Sequence, residues 1–139
     1  MKTVTVIFVA LILAGCSDDL AEVRGGQCPS LLPRWSKPSD GRSAFRPMNI
    51  VAIHGTELTW NGVPIDDTML QKYSSESARM NPAALLVLDA TGADSCLTAT
   101  KIRDEIDIFG KCRSDGVCGQ GSAEAWQRAG GLSGTNWIE

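Results

Sequence analysis

Residues 48–65 read MNIVAIHGTELTWNGVPI, and this run decides the fold. Ile50, Val51 and Ile53 alternate enough over residues 48–54 to predict a strand, which Gly55 breaks. Glu57-Leu58-Thr59-Trp60 reads as a second strand. Asn61-Gly62 then gives the strongest short hairpin signal, because both residues tolerate the positive φ of a type I′ turn. Val63-Pro64-Ile65 returns as a third strand. Pro64 has no N–H to give to a ladder, which predicts that this strand lies at a sheet edge.

Downstream the period changes from two to 3.6. Asp66 or Asp67 can cap a helix by accepting backbone N–H bonds. Met69, Leu70, Tyr73, Ser77 and Met80 form its stripe, and Asn81-Pro82 ends it. Residues 84–88, A-L-L-V-L, are a continuous apolar run and read as a central strand buried on both faces. Thr91-Gly92 marks a turn. Asp94 or Ser95 caps a second helix that runs to about Phe109, with Ala99, Ile102, Ile106 and Phe109 on one stripe. Gly110 suits the C′ position. Residues 122–129 fit a short helix, 130–139 read as loose chain, and no internal repeat is present. The expected architecture is α+β, a small mixed β-sheet with two α-helices packed on one face and stapled by disulfides.

Upstream, residues 17–46 hold Pro29, Pro33 and Pro38 among Ser, Gly and scattered charge, without periodicity. They read as a tether, whose thirty residues reach on the order of 30 Å if flexible. Cys28 and Trp35 are the two positions where it could be fastened to the body. At the start of the chain, Lys2 precedes an apolar run over residues 4–13. That run is shorter than the about 20 residues a membrane span needs and matches a signal-peptide h-region. Leu13-Ala14-Gly15-Cys16 follows and resembles the bacterial lipobox. The resemblance implies cleavage before Cys16, acylation of that cysteine, and attachment to the periplasmic side of a membrane by several acyl chains, since one alone anchors marginally. Ser17, where the enteric sorting pattern places Asp for inner-membrane retention, points to the outer membrane. The expected organisation is a signal peptide over 1–15, a lipidated tether over 16–46 and a domain over 47–139 with a cysteine-closed C-terminal segment.

Removal of the signal leaves 124 residues, enough for one core, with 12 Lys and Arg against 16 Asp and Glu. No basic block supports nucleic-acid binding. Lipid on Cys16 is the only membrane anchor expected. Four cysteines then remain, Cys28, Cys96, Cys112 and Cys118, an even number that reads as two disulfides in an oxidising compartment. Three pairings are open. Cys112 with Cys118 would close a short loop over Asp115-Gly116, worth roughly 2–2.5 kcal/mol, and leave Cys28 for Cys96; the rival pairings join Cys96 to Cys112 or Cys118. A four-cysteine zinc site lacks the C-x-x-C spacing such sites use, and neither metal nor cofactor is expected.

The pattern Ile50-x-x-x-His54-Gly55-x-x-Leu58-x-Trp60-Asn61-Gly62-x-Pro64-Ile65 resembles the opening of the periplasmic domain of ExbD/TolR-type biopolymer transporters. Asn81-Pro82 before the Leu85-Leu86-Val87-Leu88-Asp89 strand, and a further helix over residues 94–110, extend the likeness to residues 48–110. The resemblance implies an α/β domain that binds partners in the envelope. Two departures limit it. The family's transmembrane helix carries an Asp used in proton transfer, whereas here a cleaved signal occupies that place, with no ionisable residue between Thr3 and Gly15. The family's closing strand is replaced by residues 111–118, K-C-R-S-D-G-V-C, which leaves the last sheet edge open.

Catalytic signals are sparse. His54 is the single histidine and stands at a strand end, where it could serve as base or ligand or simply be a turn residue. Asp66-Asp67 is explained by capping. Ser30, Ser36 and Ser39 lack a G-x-S-x-G elbow, and Gly119-Gln120-Gly121 lacks the Lys and helix of a phosphate loop. Asp104, Glu105 and Asp107 read as a solvated helix face. No nucleophile–base–orienter set is visible, so a non-enzymatic function is expected. Trp60, with Asn61 and Gly62, forms the candidate partner-binding tip, and Trp126 and Trp137 are further interface candidates, since Trp often anchors interfaces. The expected function is a lipid-anchored binding or accessory domain linked to ExbD/TolR-type energy transduction or transport, with a protein or peptidoglycan partner. The alternative is an envelope hydrolase or inhibitor that uses His54 and the carboxylates or the disulfide loop.

Overall fold

The computed structural model describes residues 32–42, 46–112 and 117–129. The elements run β1 Met48–Gly55, β2 Glu57–Trp60, β3 Val63–Ile65, α1 Asp67–Arg79, β4 Leu85–Ala93, α2 Cys96–Phe109, β5 Cys118–Gln120 and α3 Ala123–Ala129, preceded by a 3₁₀ turn at Pro38–Asp40. Five strands form one mixed sheet in the order β3-β2-β1-β4-β5. The β1–β2 and β2–β3 pairs are antiparallel, and β4 is parallel to both β1 and β5.

The hairpin forms where its turn residues are. Asn61 and Gly62 take φ of 50° and 85°, and Trp60 faces Val63 across a two-residue loop. In such a loop the flanking pair exchanges the narrow hydrogen bonds, so Val63 and Ile65 bond inward and Pro64 turns its main chain outward. The outer edge of β3 therefore offers one carbonyl and no N–H.

Both faces of β4 are buried because its side chains alternate between two packed layers. Leu86 and Leu88 join Val51, Ile53, Leu58, Leu70, Ala99, Ile102 and Ile106 in the main core beneath α1 and α2. Leu85 and Val87 pack with Trp126 of α3, against Met48 and Ile50, on the opposite face. The expected α+β architecture, with two helices on one face and a disulfide staple, is thus the observed one. The third, short helix covers part of the other face.

Caps fix the helix starts. The Asp66 side chain accepts from Met69 N at 2.7 Å, and Ser95 from Thr98 N at 3.2 Å. Three local expectations are corrected. The buried stripe of α1 is Leu70, Ser74 and Ser77, while Met69 and Met80 are exposed; the helix lies over the sheet a little off the apolar arc. At the end of α2, Gly110 is helical (φ −79°) and Lys111 takes the positive φ. Gly110 is required by close packing instead, since a Cβ there would stand 2.5 Å from Leu86 Cδ1 and 2.7 Å from the Ile106 carbonyl. Finally, Thr91-Gly92 is not a turn, because β4 continues through both residues to Ala93 in its pairing with β1. The last sheet edge, left open in sequence, is occupied by β5, which begins at Cys118, immediately beyond the cysteine-closed loop, and pairs Cys118–Gln120 with Leu86–Leu88.

Residues 32–42, read in sequence as the end of the tether, lie against this body. Trp35 is 3% exposed and belongs to the main core. Ser36 bridges to Gly119, with Ser36 N donating to the Cys118 carbonyl at 2.9 Å and Gln120 N to the Ser36 carbonyl at 3.1 Å. Pro38 then crosses to the α3 side, where it lies against Gly121. This strap covers the outer edge of β5. The β3 edge is guarded by proline and the β5 edge by the chain itself, devices by which sheets avoid unintended pairing, while β4 runs on beyond β5 to Ala93.

Cys112 and Cys118 form a disulfide with Cα atoms 5.3 Å apart, which is the short-loop pairing among those open. Cys96 is also disulfide-bonded. Cys28, Cys16 with its lipid, the signal segment and residues 130–139 with Trp137 lie outside the described residues. No helix among the described residues is long and apolar enough to cross a membrane.

Candidate functional site

The tip residues singled out in sequence come together with the second half of α1. The antiparallel register Val51↔Trp60 puts Trp60 on the helix-covered face, because cross-strand partners share a face and Val51 lies in that core. There its ring centroid is 5.4 Å from that of Tyr73, with the planes inclined at 50°, an ordinary tilted aromatic pair. Between the hairpin and α1 a groove of about 210 Å³ is lined by Asn49, Trp60, Tyr73, Glu76, Ser77 and Met80.

A chain of amides sets the position of the tip. Asn61 N donates to the Ile50 carbonyl and Ile50 N to Asn61 Oδ1, both at 2.8 Å. Asn61 Nδ2 donates to Asn49 Oδ1, and Asn49 Nδ2 to Ser77 Oγ, each at 2.9 Å. Asn61 thus supplies the positive φ of the turn and locks the tip to β1, while Asn49 ties β1 to α1 under the groove. Gly62 is exposed at the tip itself. Two charges flank the aromatic pair. Lys72 Nζ stands 6.0 Å from the Tyr73 ring centroid, and the exposed Glu76 carboxylate has no ion-pair partner among the described residues.

His54 stands elsewhere. It is exposed near the top of β1, opposite Glu57 on β2 and Gly92 on β4, beside a register shift. No side-chain hydrogen bond or ion pair of His54 occurs among the described residues. Asp89, close in register, is committed: it accepts from Thr91 N at 3.1 Å, from Thr91 Oγ1 at 2.6 Å and from Ala123 N at 2.7 Å. Asp66 and Asp67 are capping and bridging groups, the latter receiving Lys101 Nζ at 2.8 Å. Hydrogen bonding to Asp67 holds Lys101 above its ordinary value of 10.5. Among the described residues no group of three or more His, Cys, Asp or Glu could hold a metal ion.

Two residues read as surface features are core. Trp126 is 0% exposed, packed over Gly119 and Gly121, so it is not an interface anchor and the Gly-Gln-Gly run exists to admit its ring. Asp107 is 3% exposed and does not belong to a solvated face. It accepts from Arg34 Nε at 3.0 Å, Arg34 Nη2 at 2.7 Å and Trp35 Nε1 at 3.1 Å, and its hydrogen bonds hold the Arg34 guanidinium above its usual range. Sequence reading missed this clamp, although Asp107 follows Arg103 and Ile106 on the arc that faces the body. Arg103 is likewise buried, with Nη2 3.6 Å from Asp104 and with Nε and Nη1 making no hydrogen bond among the described residues.

The site that emerges is a half-open aromatic groove with a locked floor and one free carboxylate, suited to holding a partner's side chain. Set beside the models of known protein families, the curated proteins and the solved structures, the chain matches none.

Proposed function

We propose that the chain is an exported lipoprotein, anchored through Cys16 on the periplasmic side of a bacterial membrane, preferentially the outer one. In this reading its α/β domain is a non-enzymatic binding adaptor linked to ExbD/TolR-type energy transduction or transport, with no proton conduction of its own. The observation that carries the binding role is the groove at Trp60, held in place by the Asn61–Asn49–Ser77 chain. The likeness to the transporter domain is supported by the element order: a strand, an Asn-Gly hairpin, a helix, a buried strand, a second helix and a closing strand. The strap at residues 32–42 adds a means by which an anchored tether is joined firmly to the domain, through Trp35 in the core and Arg34 on Asp107.

The test combines anchoring and binding. In cells fed radiolabelled palmitate, the full chain is expected to take label and fractionate with membranes, and Cys16→Ser to lose both. Affinity capture from detergent-solubilised membranes is expected to recover energy-transduction or cell-wall components with the wild-type chain and to lose them with Trp60→Ala. Unlabelled, freely soluble wild type would remove the anchor; identical recovery with Trp60→Ala would remove the groove from the function.

A further inference from the structure

We propose that the Trp60–Tyr73 groove receives a cationic side chain, Arg or Lys, from the partner protein; this rests on the adaptor reading above and gives the partner its chemistry. Pro64 leaves the outer edge of β3 without an N–H and the strap covers β5, which favours recognition by side chains over the addition of a strand there. The groove, at about 210 Å³, is too small for a helix, whose diameter with side chains is about 10–12 Å, and has room for one long side chain. Its walls are two aromatic rings and the Met80 thioether, surfaces that take the methylene stem of Lys or Arg.

The charge balance selects the sign. On the floor Asn49 accepts from Asn61 and donates to Ser77, and these groups are neutral, so no fixed positive charge there calls for an anion. The one charged group lining the groove is Glu76, and it has no ion-pair partner among the described residues. Aromatic faces attract cations within about 6 Å of the centroid. Tyr73 already draws Lys72 Nζ to 6.0 Å. Lys72 and Arg79, the nearby cations of α1, do not line the groove. A guanidinium or ammonium seated between the rings and Glu76 would satisfy the carboxylate and the ring faces together.

The experiment titrates the oxidised full chain, held in detergent micelles, with the peptide Ac-Gly-Arg-Gly-NH2, with its neutral citrulline analogue and with N-acetylglucosamine. The readout is the Trp60 indole N–H resonance, assigned through Trp60→Phe. The arginine peptide is expected to shift it with a Kd on the order of millimolar, and the citrulline peptide to bind at least about three-fold more weakly. Glu76→Gln, an exposed change that leaves the core intact, is expected to weaken the arginine peptide about three-fold. Lys72→Gln, which frees one face of Tyr73, is expected to tighten it about two-fold. Equal binding of the arginine and citrulline peptides, or no effect of Glu76→Gln, would overturn the cationic partner while leaving a binding groove. A shift produced by N-acetylglucosamine alone would replace it with a glycan. No shift with any of the three would overturn this proposal and, taken with failed capture by the wild-type chain, the adaptor reading beneath it.

Discussion

At the residue scale, the fold turns on a few positions whose neighbours leave no latitude. Gly110 faces Leu86 Cδ1 and the Ile106 carbonyl, both closer than a methyl can approach. Gly110→Ala is therefore expected to destabilise by about 1–3 kcal/mol as strain spreads into α2 and β4, visible as a lower urea midpoint with unchanged slope. Among the described residues Asp107 is the sole acceptor for Trp35 Nε1, and it is a two-toothed partner for Arg34. Asp107→Ala leaves the buried indole N–H without an acceptor, worth about 1–3 kcal/mol by itself, and is expected to lower the melting temperature more than Arg34→Ala, since Arg34 is partly solvated. Equal effects of the two substitutions would show that the ion pair, not the buried indole, dominates. Neither residue's role was legible in sequence. The acid at 107 sits in a helix rich in charge, and its partners are 72 and 73 positions away, in a segment whose composition is that of a linker.

At the element scale, local signals were sufficient at the Asn61-Gly62 turn and at the helix starts, but not at Thr91-Gly92 or Gly110. Asn61-Gly62, Pro64, Asp66, Ser95 and the Leu85–Leu88 run are found in the structural roles their chemistry suits, and β2 and β3 fell within the expected bounds. The extension of β4 to Ala93 and the strand at Cys118–Gln120 were not legible. Both arise from pairing with neighbours, β1 through a register shift and β4 across a disulfide-closed loop, and periodicity carries no such information. Pro64 is expected to act as an edge guard. Pro64→Val restores an outward N–H on β3 and should promote self-association, seen as concentration-dependent mass in light scattering; a monomeric variant would show that the edge is protected otherwise. The Lys101–Asp67 bridge joins α2 to the start of α1. Because its folded pKa is raised above the ordinary 10.5, its contribution is complete below pH 10.5 and is lost as pH climbs through the folded value. Lys101→Met should therefore flatten the alkaline arm of the stability profile above that pH.

At the scale of the whole molecule, the strap, the sheet and the Cys112–Cys118 disulfide make one continuous path from residue 32 to the groove. Trp35 and Ser36 fasten the incoming chain to α2 and β5, β4 lies beside β5, and β1 carries Asn49 and the hairpin. Cys112–Cys118 closes the loop immediately before β5. Replacing both cysteines by Ala should cost roughly 2–2.5 kcal/mol by loop entropy, together with any loss of packing at two fully buried positions. The candidate site was partly legible: Trp60, Asn61 and Gly62 stand out beside a turn, but Tyr73, Glu76 and Asn49 became part of it only when α1 folded back onto the sheet. The central claim, that this groove is where the anchored domain meets its partner, is tested most directly by site-specific photocrosslinking in living cells. A benzophenone amino acid is placed at position 76 at the groove and, in a second strain, at Leu97 on the exposed face of α2. The account predicts a discrete crosslinked product with an envelope protein from position 76 that is absent from position 97. No product from position 76, or the same products from both positions, would contradict it.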